Sequence, residues 1–296
     1  MLDPALRASV QRLVQQGMGP AVQLTQIHHI SGGCINEACI VETNIGRSLF
    51  LKWNRHAIEG LLASEIVGLE TIRETGSIRV PEIIGHDVTP DGLSFLVLEW
   101  IDSQSPSKHF EADLGCRLAS LHRLGEAEQY GFAQQNFIGT TVQPNGWHAD
   151  WLEFWKTSRM GVQLTLAREN GYGDQAFSRL GDRLMVRMDS MLSDSLRPSL
   201  IHGDLWSGNF LADEKGFPVL LDPAAYYADR EAEFGMLTLF GGLSDSFYDA
   251  YQEAWPLAAG AEERIEIYRL YHLLNHLNLF GATYLSDCLK IMRKYS

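Results

Sequence analysis

The chain has 296 residues with a formal net charge of -13, 45% hydrophobic and 21% charged residues, and only four cysteines. That length accommodates one large domain or two packed lobes, and the composition is that of an ordinary globular protein. The acidic balance excludes nonspecific attraction to a phosphate backbone, so no nucleic-acid partner is expected, and an anionic ligand would need its own local cations.

The chain opens with Leu6, Val10, Leu13 and Val14 at helical spacing interrupted by charge, which is not a secretory apolar stretch. No uninterrupted apolar run reaches the length needed to cross a bilayer. A soluble cytoplasmic protein without a membrane partner is therefore expected. Strands follow over about 24–30, 34–42 and 47–53, with turns at Gly32-Gly33 and Asn44-Ile45-Gly46. From Ala57 to Glu74, the residues Ile58, Leu61, Leu62, Ile66, Leu69 and Ile72 recur at three and four, which predicts an amphipathic helix. Strands near 82–86 and 94–100 complete a small antiparallel lobe. Helical patterns then occupy about 111–124, 151–169 and 174–192. A strand-loop-strand at 199–222 precedes helices near 231–240, 245–254 and 262–280. The predicted class is α+β, with a small sheet lobe over residues 1–101 and a larger, mainly helical lobe over 102–296. Cys34 and Cys39 lie five apart on a predicted strand and face opposite ways, so they do not pair with each other.

The segment His202-Gly203-Asp204-Leu205-Trp206-Ser207-Gly208-Asn209 carries the chemistry, together with Asp222 after Pro218-Val219-Leu220-Leu221. Phosphoryl transfer needs a carboxylate near the acceptor hydroxyl and hard oxygen ligands holding Mg²⁺ against the phosphates of ATP. Asn209 follows Asp204 by five residues, the separation of base and metal-binding Asn in kinase loops, and Asp222 follows Asp204 by 18. Asp204 is thus the expected base, with Asn209 and Asp222 as metal ligands. Gly32, Gly33 and Cys34 occupy a strand turn where small residues let backbone N–H groups approach phosphate. Lys52 ends the apolar run Leu49-Phe50-Leu51, where a buried ammonium needs anionic partners. Glu65 is the expected helix carboxylate, with Glu59 and Glu70 as alternatives. Glu99, Trp100 and Ile101 close the last small-lobe strand, where a kinase hinge reads adenine with its backbone.

The motifs GGCINEA at 32–38, IGTTVQPNGW at 138–147, HGDLWSGN at 202–209, DPAAYYADREAEFGM at 222–236 and YHLLNHLNLFGATY at 271–284 make the chain resemble the fructosamine kinase, or ketosamine-3-kinase, family. The resemblance spans nearly the whole length. It implies a bilobal protein-kinase-like fold shared with aminoglycoside phosphotransferases, and ATP-dependent phosphorylation of the 3-hydroxyl of a free or protein-bound ketoamine, leading to deglycation. On that substrate, Trp206 is expected to stack on the sugar or wall its pocket, a core position being the alternative, and Tyr226 and Tyr227 to offer hydroxyls, packing being the alternative for one of them. Asp229, Glu231 and Glu233 are expected to favour a protonated amine, unless they serve the start of a helix. No long activation segment follows Asp222. A low-pKa Cys34 thiol would make nucleotide binding sensitive to oxidation, and assembly is left open between a monomer and a redox-sensitive dimer. His272 and His276 share a helix face without the intervening carboxylate of a zinc motif, so a packing role is expected.

Overall fold

The computed structural model describes residues 2–30, 36–54, 58–192 and 197–296. Helix α1 (Pro4–Met18) starts where Asp3 accepts the Ala5 N–H at 2.9 Å and Pro4 sets the first turn. Its Leu6, Val10 and Val14 cover the outer face of a five-stranded antiparallel sheet. The strands are β1 (Leu24–Ile30), β2 (Glu37–Thr43) and β3 (Ser48–Asn54), then, after helix α2 (Leu61–Glu74), β4 (Ile83–Val88) and β5 (Ser94–Glu99), in the spatial order β1-β2-β3-β5-β4. The two-residue period of β3 decides what each face receives. Leu49, Leu51 and Trp53 join the α1 core, whereas Lys52 turns to the face covered by α2.

The remaining chain is mostly helical. Helix α3 (Phe110–Leu124) is followed by four three-residue strands, β6 (Tyr130–Phe132), β7 (Asn136–Ile138), β8 (Thr141–Gln143) and β9 (Gly146–His148). The helix expected at 151–169 is interrupted: α4 (Trp151–Trp155) and α5 (Gly161–Glu169) are joined by a π-helical turn over Lys156–Met160. Helix α6 (Gln175–Met191) leads to β10 (Ser199–Ile201), the hairpin β11 (Phe210–Ala212) and β12 (Pro218–Leu220), and β13 (Tyr226–Ala228). Helices α7 (Ala232–Leu237), α8 (Asp245–Ala254), α9 (Ala261–Phe280) and α10 (Leu285–Tyr295) complete the chain. Strands β6 to β9, strand β13 and helix α10 are additions to the elements expected from sequence.

One apolar cluster joins the two halves. Leu62, Leu69 and Ile72 of α2 and Leu96 and Leu98 of β5 pack in the same core as Leu118, Leu200, Leu220 and Phe234. Among the described residues no helix is long and apolar enough to cross a membrane.

Candidate active site

The loop between β10 and β11 carries Asp204, and its shape is set from both sides. Gly203 has φ +81°, and a Cβ there would lie 2.3 Å from the Ala224 carbonyl oxygen, so glycine is required on both grounds. Glu233 of α7, 1% exposed, accepts the N–H groups of His202 at 2.5 Å and Gly203 at 3.1 Å. Burial pushes His202 down, and as a neutral ring it donates Nε2–H to the Leu221 carbonyl at 2.7 Å while Nδ1 accepts the Asp204 N–H at 3.3 Å. These bonds tie Leu221, the residue before Asp222, through the His202 ring to the backbone of Asp204.

Asn209 uses its amide to donate to the Asp204 carbonyl at 2.8 Å and to Asp204 Oδ2 at 3.1 Å. With Nδ2 occupied twice, its Oδ1 is the atom available to a cation. The register of β11 and β12, Phe210 opposite Leu220, returns the chain so that Leu221 N–H reaches the Asn209 carbonyl at 2.8 Å. Asp222 comes next, with φ +50°, the one non-glycine residue with positive φ among those described. Such a backbone costs about 1–3 kcal/mol and persists only where its surroundings hold it. The hold is visible in the following residues. Ala224 donates to the His202 carbonyl at 2.9 Å, Asn136 donates to the Ala225 carbonyl at 2.8 Å, and Gln143, oriented by the Tyr271 hydroxyl at 2.7 Å, reaches the Ala224 carbonyl at 3.4 Å.

Lys52 meets Glu65 at 2.5 Å and Asp222 at 2.7 Å. Glu59 and Glu70 are exposed, which resolves the choice of helix carboxylate in favour of Glu65. Burial pulls the Lys52 ammonium down, but the two carboxylates outweigh it and hold it protonated. Burial likewise pushes Asp222 up, yet its side chain is 55% exposed, so the charge and hydrogen bond of Lys52 decide the direction and hold it below the usual carboxylate range. Asp204 is raised well above that range by burial and by the charge of Asp222, against the opposing hydrogen bond from Asn209. A carboxylate raised in this way is a better proton acceptor.

At the end of β5, Glu99 turns its side chain to Arg79 at 2.7 Å, Trp100 lies 6.4 Å from Phe50 between ring centroids, and Ile101 is buried. Gly32, Gly33 and Cys34 lie outside the described residues. In the strands on either side, Ile30 pairs with Ala38 and Ala38 with Lys52.

The acceptor-side expectations need correction. Trp206 does keep its ring at the loop surface, folded over Gly208. Tyr226 is only 2% exposed, packed beneath Gly203 with the Arg159 guanidinium 4.0 Å from its ring. Tyr227 packs against Trp147 and Phe132. Glu231 is 1% exposed and paired with Arg264 at 2.6 Å, while Asp229, pushed up to about 6 by burial and Glu231, accepts the Tyr268 hydroxyl at 2.5 Å. Buried carboxylates take internal partners, and these three, Glu233 included, have theirs. The anchoring roles of Glu233, Asn136 and Gln143 lie outside the sequence reading, although all three sit in its quoted motifs or beside them.

The family model for fructosamine kinase matches residues 6–296. A protein-ribulosamine 3-kinase of Arabidopsis thaliana is 43% identical, over 94% of this chain and 84% of that protein. A solved structure from Thermobifida fusca, described as a fructosamine-3-kinase, is 31% identical with a TM-score of 0.86, covering 96% of this chain and 97% of the other. A thermostable mutant of an aminoglycoside phosphotransferase shares the fold alone, with a TM-score of 0.66 at 14% identity over 96% of this chain and 98% of its own. With the loop geometry, the bilobal kinase-like architecture and a family match over nearly its whole length, the chain belongs to the fructosamine kinase family.

Proposed function

We propose that this chain transfers the γ-phosphoryl group of ATP to the 3-hydroxyl of a ketosamine, a ribulosamine or fructosamine adduct of an amine or a protein. The observation that carries this reading is the convergence of two hydrogen-bonded pairs, Lys52–Asp222 and Asn209–Asp204, brought together by the Leu221 N–H to Asn209 carbonyl bond and held by Glu65 and Glu233. A catalytically inactive relative would have no reason to keep all four. In this scheme residues 1–101 bind the nucleotide, the backbone of Glu99, Trp100 and Ile101 faces adenine, and residues 102–296 supply the base and the acceptor pocket. The Gly32-Gly33-Cys34 segment is assigned to the phosphates.

The donor set fits Mg²⁺. Two carboxylates close enough for one to raise the other, beside an amide oxygen left available, are hard ligands carrying excess negative charge. Asp222 and Asn209 would hold the ion, which would neutralise charge on the phosphates. Lys52, pinned between Glu65 and Asp222, presents a fixed positive charge to the same phosphates. Asp204 accepts the proton of the sugar hydroxyl as that oxygen bonds to phosphorus, and ADP departs with the other oxygen. The product bears a phosphate leaving group next to its ketone, so it eliminates phosphate and frees the amine, which is a repair of glycation. We place the reaction in a reducing compartment such as the cytoplasm, in keeping with unpaired Cys39, Cys116 and Cys288.

The test is ATP consumption with ribulosyl-lysine, fructosyl-lysine and kanamycin side by side. Turnover of the ketoamines is expected, with Asp204→Asn lowering kcat by about 10²–10⁴-fold. Turnover of kanamycin alone would overturn the assignment.

A further inference from the structure

A row of aromatic rings runs outward from the catalytic loop, and the phosphoryl-transfer groups make no use of it. Trp206, two residues after Asp204, meets Phe240 edge to face at 5.9 Å between centroids. Phe240 meets His276 at 5.3 Å, and His276 meets Phe280 at 5.4 Å and Tyr284 at 5.1 Å. The rings come from the loop after β10, the α7–α8 connection, the end of α9 and the turn before α10. Phe240 is 49% and Phe280 50% exposed, whereas the core aromatics are enclosed. Single exposed rings are common on protein surfaces, but a contiguous row beginning beside a catalytic base marks a binding surface. Gly241 at φ +108° and Gly242 at φ +67° turn the chain away directly after Phe240.

Helix α9 fixes the direction of the row. His276 and Phe280 stand four residues apart on one face of it, about 6 Å along the helix axis. Lys52 and Glu65 reach the cluster from the sheet and α2, so the row leaves Asp204 along the helical half. Burial holds His276 on the neutral side, and it therefore adds a ring without a charge.

We propose that Phe240, with His276 and Phe280 beside it, is the subsite for the amine-bearing arm of a lysine-derived ketoamine. This rests on the ketosamine reading above and goes beyond it by naming where the non-sugar part binds. The secondary amine at the first sugar carbon is protonated at neutral pH and faces the Trp206 ring, while the lysine methylenes cross Phe240 toward Phe280. Asp229, Glu231 and Glu233 are committed to internal partners, so the ring faces take the part once expected of those carboxylates.

The experiment compares two acceptors that share sugar and ammonium and differ only in the arm, ribulosyl-lysine and ribulosyl-methylamine. Phe240→Ala is expected to raise KM for ribulosyl-lysine about fivefold or more, with kcat and the KM for ATP within about twofold. The same variant leaves KM for ribulosyl-methylamine within about twofold, and Phe240→Tyr retains wild-type values on both. Equal KM changes on the two acceptors, or none on either, overturn the subsite. Failure of the wild-type protein to phosphorylate either acceptor would instead refute the ketosamine reading, and that control is independent of the variants.

Discussion

His272 is 3% exposed and its Nδ1 has no hydrogen-bond partner. Burial, with the neighbouring His276 and Arg159, pushes its pKa down to about 3. In the unfolded chain a histidine titrates near 6.5. Below that value the unfolded state binds a proton that the native state refuses. The stability associated with His272 is therefore complete above about pH 6.5 and is lost as pH falls toward 3. His272→Leu fills a similar volume, leaves no orphaned nitrogen and removes this proton linkage. Urea unfolding at pH 7, 6 and 5 should show wild type losing up to about 1.4 kcal/mol per pH unit more than the variant below pH 6.5. Parallel pH profiles would mean that His272 is protonated inside the fold. The packing role expected from its helix face agrees with this environment, and among the described residues no three His, Cys, Asp or Glu side chains gather as a metal site. The partners of Asp229, Glu231 and Glu233 were not legible in the same way. Tyr268, Arg264 and the His202 backbone lie some thirty or more positions away, and no local pattern announces them.

At the scale of elements, α2 places Glu65, and Gly68 sets how closely α2 approaches the segment after Asp222. A Cβ on Gly68 would lie 3.0 Å from Pro223 and 3.5 Å from Ala225. Gly68→Leu is expected to push the helix outward, destabilise the protein by about 1–3 kcal/mol and part Glu65 from Lys52. The KM for ATP should then rise severalfold, and a loss of thermal stability with unchanged ATP kinetics would show that the helix shifts without disturbing the ion pair. This pair was legible in part. Lys52 closes the apolar run Leu49-Phe50-Leu51, and the three-and-four spacing marks a helix, but spacing left Glu59 and Glu70 beside Glu65, and of the three only Glu65 is buried. Strands β6 to β9 are three residues each, shorter than any period that marks a strand. The π-helical turn before α5 depends on packing around the buried Arg159, which a repeat pattern does not register. Helix α10 does carry a stripe at Cys288, Ile291, Met292 and Tyr295, and the same spacing rule accounts for it.

Over the whole molecule, the bilobal plan is readable from element order, but the tie between the halves is not. Arg79, after α2, reaches Glu99 at the end of β5 at 2.7 Å, and Asp213 and Glu214 in the β11–β12 turn at 2.9 and 3.0 Å. Its carbonyl also accepts the Leu220 N–H at 2.9 Å. One side chain thus links the end of β5 to the hairpin that carries Asn209 and Asp222 at its two ends. The shared apolar core around Leu96, Leu200 and Leu220 joins the halves, and Arg79 adds an ion-paired link beside it. The guanidinium is 34% exposed, which moderates the energy of its pairs, but Asp213 is 7% exposed and would be left with its charge largely desolvated. Arg79→Met keeps the stem and removes all three ion pairs. The expected result is a rise of about threefold to tenfold in the KM for ATP with kcat for a ketosamine within about threefold, because the segment proposed to face adenine shifts relative to the groups proposed to hold the phosphates while Asp204 stays bound to Asn209. Melting temperature and ATP kinetics measured together discriminate the roles: a lower melting temperature with an unaltered KM would reduce Arg79 to a stabilising contact, whereas a raised KM identifies it as the residue that sets the distance between adenine and phosphate sites.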